Sequence, residues 1–142
     1  MPERMSPERL RAFLQEGTRT AKLATIMPDG RPHVTPVWFV LDGDDLICTT
    51  WHTSAKARSL RRDPRVSLCV DDDRPPYAFA MLEGVATISE DLAELRRWAT
   101  QIGARYMGAD RAEEFGARNG VQGELLIRIS PTRIVAEEKV AG

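Results

Sequence analysis

The sequence lacks the features that mark several large classes of protein. It has only two cysteines, Cys48 and Cys69, outside any C-x-x-C spacing, and we expect both to be small core residues of a reduced protein. No apolar run approaches the ~18 residues of a membrane-spanning helix, and the N-terminus has no apolar signal core. We therefore expect a cytoplasmic protein with no membrane partner.

The common motifs for nucleotide binding and nucleophilic catalysis are also missing. There is no G-x-G-x-x-G, no G-x-x-x-x-G-K-[ST] and no G-x-S-x-G. The two histidines, His33 and His52, have no third ligand at a suitable spacing, which argues against a zinc site. No nucleophile has an obvious base partner, so any reactive group is expected to come from a cofactor.

The chain has almost no excess of either charge overall, but positive charge is concentrated in one segment. The formal net charge is -1, which gives no general attraction to nucleic acid. Residues 53–66, T-S-A-K-A-R-S-L-R-R-D-P-R-V, nevertheless hold five cations and one anion. The segment has no interleaved aromatic residue and is followed, after four intervening residues, by three aspartates, so we do not expect a nucleic-acid partner.

Turn residues and alternating apolar residues predict a mainly β chain. Pro28-Asp29-Gly30 and Asp42-Gly43-Asp44 separate the first three predicted strands, which indicates a β-meander. Gly84 is expected to form a bulge in a long strand. The predicted strands are 20–27, 32–41, 45–50, 66–70, 77–88, 124–130 and 133–139. Six or seven antiparallel strands with few helices indicate one domain, 1–142, folded as a barrel or a sandwich.

Helices are predicted between these strands. Ser6 and Pro7 begin a short helix that Gly17 ends, and Asp63-Pro64 stops a second helix within the basic segment. Ser89 is expected to cap the longest helix, followed by a weaker helical piece near 109–116 and a flexible loop over 116–123. The apolar stripe of the longest helix is Leu92, Leu95, Ala99, Ile102 and Tyr106.

The basic segment has two interpretations. Ser54 offers a hydroxyl at a helix N-terminus, where free N–H groups and the helix dipole favour an anion, and Lys56 and Arg58 can reach the same place. Alternatively, the segment is a solvated charged helix. Arg61, Arg62 and Arg65 lie at the helix end and beyond, where cations suit the dipole and keep the surface soluble.

The order of these segments resembles a known superfamily. The segments that carry the resemblance are L-A-T-I-x-P-D-G-R-P-H-V-T-P-V-W-F, L-I-C-T-T, S-A-K-A-R-S-L-R-R-D-P-R-V-S-L and E-G-V-A-T-I. Together they resemble the pyridoxamine 5'-phosphate oxidase-like split β-barrels, and most of all the flavin/deazaflavin oxidoreductases that use coenzyme F420 rather than FMN. The resemblance covers residues 8–135, and it implies a split β-barrel of the FMN-binding type that forms a homodimer with its cofactor at the subunit interface.

The resemblance also implies a set of cofactor-binding residues. The strand beside the tricyclic ring would be Val34, Thr35, Pro36, Val37, Trp38 and Phe39, acting largely through backbone groups. Thr49 and Thr50 would lie near the ribityl chain and phosphate. The phosphate would be held by Ser54, Ala55, Lys56 and Arg58. Tyr77, Ala78 and Phe79 would approach the ring from the other side.

Two departures from the family pattern refine this assignment. FMN-binding relatives commonly place an arginine where this chain has Ala55, which loosens the FMN assignment, and Arg58 is expected to compensate for it in part. The C-terminal tryptophan and arginine motif that grips vitamin B6 substrates is absent, because R-I-V-A-E-E-K has no aromatic residue. The basic run could instead serve the anionic tail of F420 through Arg58, Arg61 or Arg62.

The resemblance predicts hydride transfer between reduced F420 and an electron-poor small organic substrate. Two alternatives stay open: an FMN-binding reductase of the same fold, and a non-catalytic protein that binds flavin, deazaflavin or haem. The proton donor is not apparent from the sequence, with Tyr106, His52 and bound water as candidates. Trp38 and Trp51 are expected to flank the groove, either stacking on a ligand or packing in the barrel.

Overall fold

The computed structural model describes all residues, 1–142, as eight strands and four α-helices. The strands are β1 (Glu3–Arg4), β2 (Ala21–Ile26), β3 (Pro32–Val37), β4 (Val40–Asp42), β5 (Asp45–Trp51), β6 (Arg65–Asp72), β7 (Ala78–Ser89) and β8 (Glu124–Glu138). The helices are α1 (Pro7–Gln15), α2 (Ala55–Arg62), α3 (Leu92–Met107) and α4 (Ala112–Asn119), with a 3-10 turn at Ala109–Arg111. None of these helices has the length and apolar character needed to cross a lipid bilayer.

The strands form one antiparallel sheet that curls into a split barrel. Its order is β3-β2-β6-β7-β8-β5-β4, and β1 pairs with the far end of β8. The two edge strands, β3 and β4, are consecutive in the chain and separated only by Trp38 and Phe39. Because so short a link spans at most about 11 Å, the edges must meet there. The hydrogen-bonded ladder is open between them, and the predicted split β-barrel is confirmed.

The inner face of the curled sheet carries the main core. Val66, Leu68 and Val70 alternate inward on β6, as predicted, and Gly84 marks a shift in register between β7 and β8. A smaller apolar cluster lies outside the barrel, where Ile47 and Leu126 pack against Leu95 and Trp98 of α3. The helices therefore cover one side of the barrel, while α2 follows β5 directly and contributes Ala57 and Leu60 to the main core.

Several predicted boundaries were wrong. The run 32–41 is interrupted at Trp38 and Phe39, so the first three runs do not form a simple meander: β3 pairs with β2 and β4 pairs with β5 at opposite edges. The two C-terminal runs are one strand, β8, that continues through a bulge near Thr132.

Other errors concern helix ends. Asp91, rather than Ser89, caps α3 by accepting from the N–H of Glu94 at 3.0 Å. Leu92 is exposed and does not belong to the apolar stripe of that helix. The predicted loop at 116–123 is helical as far as Asn119, and β6 extends into the predicted aspartate loop as far as Asp72.

The break at Trp38 and Phe39 is held by the last turn of α3. The Tyr106 hydroxyl accepts from the N–H of Phe39 at 3.1 Å and donates to the carbonyl of Arg19 at 2.8 Å. The Arg105 guanidinium donates to the carbonyl of Phe39 at 2.7 Å. The side chain of Phe39 is buried in the core while Trp38 points outward, so the break is a fixed crossing point between the two edges.

We expect Tyr106→Phe to lower the free energy of unfolding by about 1–2 kcal/mol, because the Phe39 N–H and the Arg19 carbonyl both lose their partner. The ring itself is retained. Urea denaturation of both proteins measures the effect. Tyr77→Phe is the matched control, since the Tyr77 side chain is exposed and its hydroxyl makes no hydrogen bond; an equal loss in both variants would contradict the assignment.

Candidate functional site

The site begins at the N-terminus of α2, directly after β5. Ser54 caps the helix: its hydroxyl oxygen accepts from the N–H of Ala57 at 3.1 Å and lies 2.8 Å from the hydroxyl of Thr50. The backbone N–H groups of Ala55 and Lys56 have no acceptor in the protein. Free N–H groups and the positive end of the helix dipole make this position suited to an anion.

Lys56 adds a cation at the same end of α2. Its ammonium donates to the hydroxyl of Thr35 on β3 at 2.9 Å and has no carboxylate within ion-pair distance. The side chain is half-buried, and side chains in a helix lean toward its N-terminus. Arg58 is exposed and also has no partner. Two cations without a counter-charge therefore lie beside free N–H donors.

The other basic residues of the segment have structural partners. Arg61 donates to the carbonyl of His52 at 3.0 Å, and Arg62 donates to the carbonyl of Ile26. Arg65 pairs with Asp63 at 2.7 Å, which lowers the pKa of that carboxyl to about 2. Ser54, Lys56 and Arg58 therefore remain the predicted anion site within the segment, and the three arginines remain predicted surface residues.

β3 presents a free strand edge next to Lys56. The N–H of Met27 donates to the carbonyl of Arg31, so the alternation of an antiparallel ladder turns the backbone groups of Pro32, Val34 and Pro36 away from β2. Proline is tolerated at such positions because no N–H is needed there. The edge offers three carbonyl acceptors and a single N–H donor, that of Val34, whose side chain is exposed.

The side chains of Thr35 and Val37 lie on the inner face of β3, opposite to the exposed side chain of Val34. The contact between Thr35 and Lys56 is a side-chain feature that the sequence did not reveal, because nothing in the local pattern connects β3 with a helix that follows β5. The alternation of residues 33, 35 and 37 onto the inner face is the one signal that pointed to it.

The two exposed tryptophans pack against the helical side of the barrel. Trp38 lies parallel to Tyr106, with ring centroids 5.0 Å apart, and also contacts Phe115. The Trp51 ring lies over Gly123, where even a Cβ would meet the indole at 2.3 Å. Part of each indole is exposed, but contacts with neighbouring residues fix the position of both rings.

Of the three candidate proton donors, Tyr106 is the least suited, because its hydroxyl proton is engaged in a hydrogen bond. Its hydroxyl already donates to the Arg19 carbonyl, and burial raises the pKa of the phenol. His52 is half-buried beside Trp51 and remains a candidate. His33, on the inner face of β3, has its Nδ1 buried without a partner, opposite the similarly unpartnered hydroxyl of Thr25.

Tyr77, Ala78 and Phe79 are not brought to the α2 terminus within one chain. Ala78 and Phe79 pair with Glu138 and Glu137 at the end of β8, whereas Thr49 and Thr50 pair with Leu126 and Leu125 near its beginning. Tyr77 precedes β7 in a left-handed backbone conformation, with φ 69°. These three residues can approach the α2 terminus of a second subunit, and this role remains a prediction.

Cys48 lies beside the site but is chemically inert. Its side chain is fully buried on the inner face of β5, and burial raises the pKa of the thiol to about 12. A buried thiol with a raised pKa stays protonated near neutral pH, so we do not expect Cys48 to act as a nucleophile. Cys69 is half-buried on β6, with a pKa raised first by burial and then by Asp71.

We therefore expect iodoacetamide at pH 8 to leave Cys48 unmodified in the folded protein and to alkylate Cys69 slowly. Denaturation in urea should expose both thiols and remove the difference between them. Mass spectrometry of tryptic peptides after timed labelling measures each site. Rapid alkylation of Cys48 in the folded protein would contradict the burial of β5.

The donors at the α2 terminus fit the phosphate of a flavin or deazaflavin. A phosphate needs several donors on its oxygens, and two free N–H groups, one ammonium and a pair of hydroxyls that keeps one proton free lie here without a competing carboxylate. The residues that would hold it are Thr50, Ser54, Ala55 and Lys56, with Arg58 at the rim. The free edge of β3 lies beside them.

Comparisons with known proteins show relatives of this chain along most of its length. Heme oxygenase HutZ of Vibrio cholerae serotype O1 is 30% identical over 134 residues, which cover 90% of this chain and 73% of HutZ. The crystal structure of the conserved hypothetical protein Rv2991 from Mycobacterium tuberculosis superposes with a TM-score of 0.85 at 32% identity, covering 95% of this chain and 86% of Rv2991. An F420 reductase superposes with a TM-score of 0.68 at 28% identity, covering 85% of this chain and 92% of the reductase.

A family assignment follows from the extent of the match. Residues 6–136 match the family described as pyridoxamine 5'-phosphate oxidase, so the match includes every strand from β2 to β7, all four helices and most of β8. It also includes the N-terminus of α2 and the free edge of β3. The chain belongs to the pyridoxamine 5'-phosphate oxidase family.

Proposed function

We propose that this protein is an oxidoreductase that binds coenzyme F420 and transfers a hydride to an electron-poor small organic molecule. The observation that carries the proposal is the half-buried Lys56 ammonium, which lies at a helix N-terminus with two free N–H groups and has no carboxylate partner. The similarity to an F420 reductase over 85% of the chain supports the choice of a deazaflavin.

The chain's own residues bind and orient in this proposal. When bound, the deazaflavin supplies the hydride. Ser54, Ala55 and Lys56 hold the phosphate, while the open carbonyls and the Val34 N–H of β3 are suited to a ring edge that carries an imide N–H and carbonyls. Arg58 is exposed near the phosphate, where it can meet the anionic tail of the cofactor. His52 or water delivers the proton.

A homodimer completes the proposed site. In one chain the α2 terminus is open, and Tyr77, Ala78 and Phe79 lie at the far end of β8 from Thr49 and Thr50. A second subunit can bring its own Tyr77–Phe79 segment over the ring edge. Sedimentation equilibrium is expected to show a dimer, and Tyr77→Ala is expected to weaken cofactor binding while the phosphate donors remain intact.

Titration of the purified protein with F420 and with FMN tests the cofactor. We expect F420 to bind more tightly, because Ala55 replaces the arginine that FMN-binding relatives commonly place before the phosphate lysine. Fluorescence of each cofactor measures binding, and loss of reduced F420 absorbance with enones and quinones measures turnover. Tight binding of FMN with none of F420 would assign the protein to the FMN-binding reductases instead.

Haem binding is the second candidate function, and the similarity to HutZ favours it. The chain contains two histidines, of which His33 has a buried, unpartnered Nδ1 and His52 is half-buried. Titration with haemin, followed at the Soret band, tests this candidate in wild type and in His33→Ala and His52→Ala. A Soret shift that either substitution abolishes, together with no F420 turnover, would favour haem binding over hydride transfer.

A further inference from the structure

The barrel has an opening on the side away from the α2 terminus. β5 pairs with β8 only as far as Ile129, and β1 begins to pair at Glu137, so residues 130–136 of β8 have no strand on that side. α1 lies across this opening, and a groove of about 690 Å³ remains beneath it. Small-molecule sites commonly have volumes of about 300–1,000 Å³.

The floor of the groove is apolar and incompletely covered. Ile134 pairs directly with Leu82, so both side chains lie on the same face of the sheet, the face that carries the core. Leu82 is 1% exposed, yet Ile134 is 44% exposed. Leu10 and Leu14 of α1 line the same groove. An inward-facing isoleucine therefore borders space that the protein does not fill.

The strand edge in the opening has free backbone groups. The N–H of Met5 donates to the carbonyl of Ala136 at 3.0 Å, which shows that Ala136 turns its backbone groups toward the opening. Backbone groups alternate in direction along a strand, so those of Ile134, two residues earlier, also point toward the opening. The N–H groups of Ile134 and Ala136 have no acceptor in the protein, so two fixed donors border the apolar floor.

The residues that line the groove carry one more positive than negative charge. Its two carboxylates are already engaged, Asp44 with Arg11 at 2.8 Å and Asp45 with Arg128 at 3.1 Å. Arg4 and Arg133 pair with Glu137 and Glu83, so their side chains start from the outer face of the sheet and border the groove only at its open edge, where neither makes a hydrogen bond or an ion pair.

We propose that this groove is a second ligand site, for a small amphipathic carboxylate. The apolar body of the ligand lies on Leu10, Leu14 and Ile134, and its carboxylate meets Arg4, Arg133 and the free N–H donors. An unpaired guanidinium beside fixed N–H groups selects a carboxylate over a neutral or cationic head group. The groove shares no residue with the proposed cofactor site, so the proposal stands independently of it.

Octanoate, octan-1-ol and octylammonium are matched probes, because they share a chain and differ in the head group. We expect octanoate to bind at least tenfold more tightly than either of the others in isothermal titration calorimetry. In ¹H–¹⁵N spectra the amides of Ile134 and Ala136 should shift on addition of octanoate. The double variant Arg4→Gln/Arg133→Gln should weaken octanoate binding about tenfold and leave octan-1-ol binding unchanged.

Lys56→Met is the control variant and should bind octanoate as wild type does. Equal affinity for octanoate and octan-1-ol would overturn the proposal, as would undiminished octanoate binding in the arginine double variant. Amide shifts confined to α2 and β3 would also overturn it, since they would place octanoate at the other site. Both arginines are exposed at the groove mouth, so the variants are expected to fold.

Discussion

Replacing Arg105 with methionine is expected to lower the free energy of unfolding by about 3 kcal/mol. The guanidinium donates to three backbone carbonyls, those of Leu14 at 2.7 Å, Phe39 at 2.7 Å and Gly17 at 3.1 Å. It thereby ties the end of α1 to the crossing between the two sheet edges. Methionine keeps much of the apolar stem but leaves all three carbonyls without this donor.

Arg105→Lys separates the charge from the geometry of the guanidinium. An ammonium cannot present the planar fork that reaches three carbonyls at once, so lysine should recover less than half of the loss. Urea denaturation gives both values. Arg97→Met, on the same helix, is the matched control: the Arg97 side chain lies over Trp98 without a hydrogen bond, and its loss should cost less than about 1 kcal/mol. Equal losses at positions 97 and 105 would contradict the role of the three Arg105 hydrogen bonds.

Arg105 also illustrates why part of the fold could not be predicted from the sequence. Strands β2, β5, β6 and β7 have alternating residues and turn chemistry in their own sequence, and they were predicted closely. The interruption at Trp38 and Phe39 has no local signal, because T-P-V-W-F-V-L is apolar and strand-forming throughout. Only contacts from Arg105 and Tyr106, more than sixty positions away in the chain, fix the break there.

The C-terminal strand shows the opposite error. Ser130-Pro131-Thr132 is typical of a turn, yet β8 continues through it because β7 pairs on both sides of the bulge. The Gly84 bulge was predicted because glycine carries its own signal, and a Cβ there would meet the Ser130 carbonyl at 2.6 Å. The glycine therefore predicted the irregularity on β7, whereas the continuation of β8 through residues 130–132 depends on its pairing with β7.

The candidate site was predictable to the extent that it lies in one segment. The cap at Ser54 and the cation at Lys56 are two positions apart in the sequence, and the helix that contains Lys56 was predicted. The partner of Lys56, Thr35, belongs to the opposite edge strand and becomes a neighbour only when the sheet curls. Tyr77, Ala78 and Phe79 were grouped with the site through the family resemblance alone, and strand register separates them from it in one chain.

Lys56→Met is expected to weaken F420 binding by about 2 kcal/mol, or roughly thirtyfold, and to leave folding unchanged. The ammonium is the only cation of the α2 terminus that is held by β3, through the Thr35 hydroxyl at 2.9 Å. Methionine has a similar length but removes the charge-assisted contact with the phosphate. Thr35→Val should give a smaller loss, because the ammonium remains but is no longer oriented.

Arg58→Met and Arg65→Met complete this series. Arg58 is exposed and unpaired near the phosphate, so its loss should weaken binding by less than that of Lys56. Arg65 belongs to the same basic segment but pairs with Asp63, and its replacement should not change affinity for F420. Fluorescence titrations at two salt concentrations separate a specific phosphate contact from general attraction. If attraction is general, added salt should reduce the cofactor affinity of wild type and of every variant alike. If Arg65→Met and Lys56→Met lose equal affinity, the basic segment acts through its net charge and the α2 terminus is not a phosphate site.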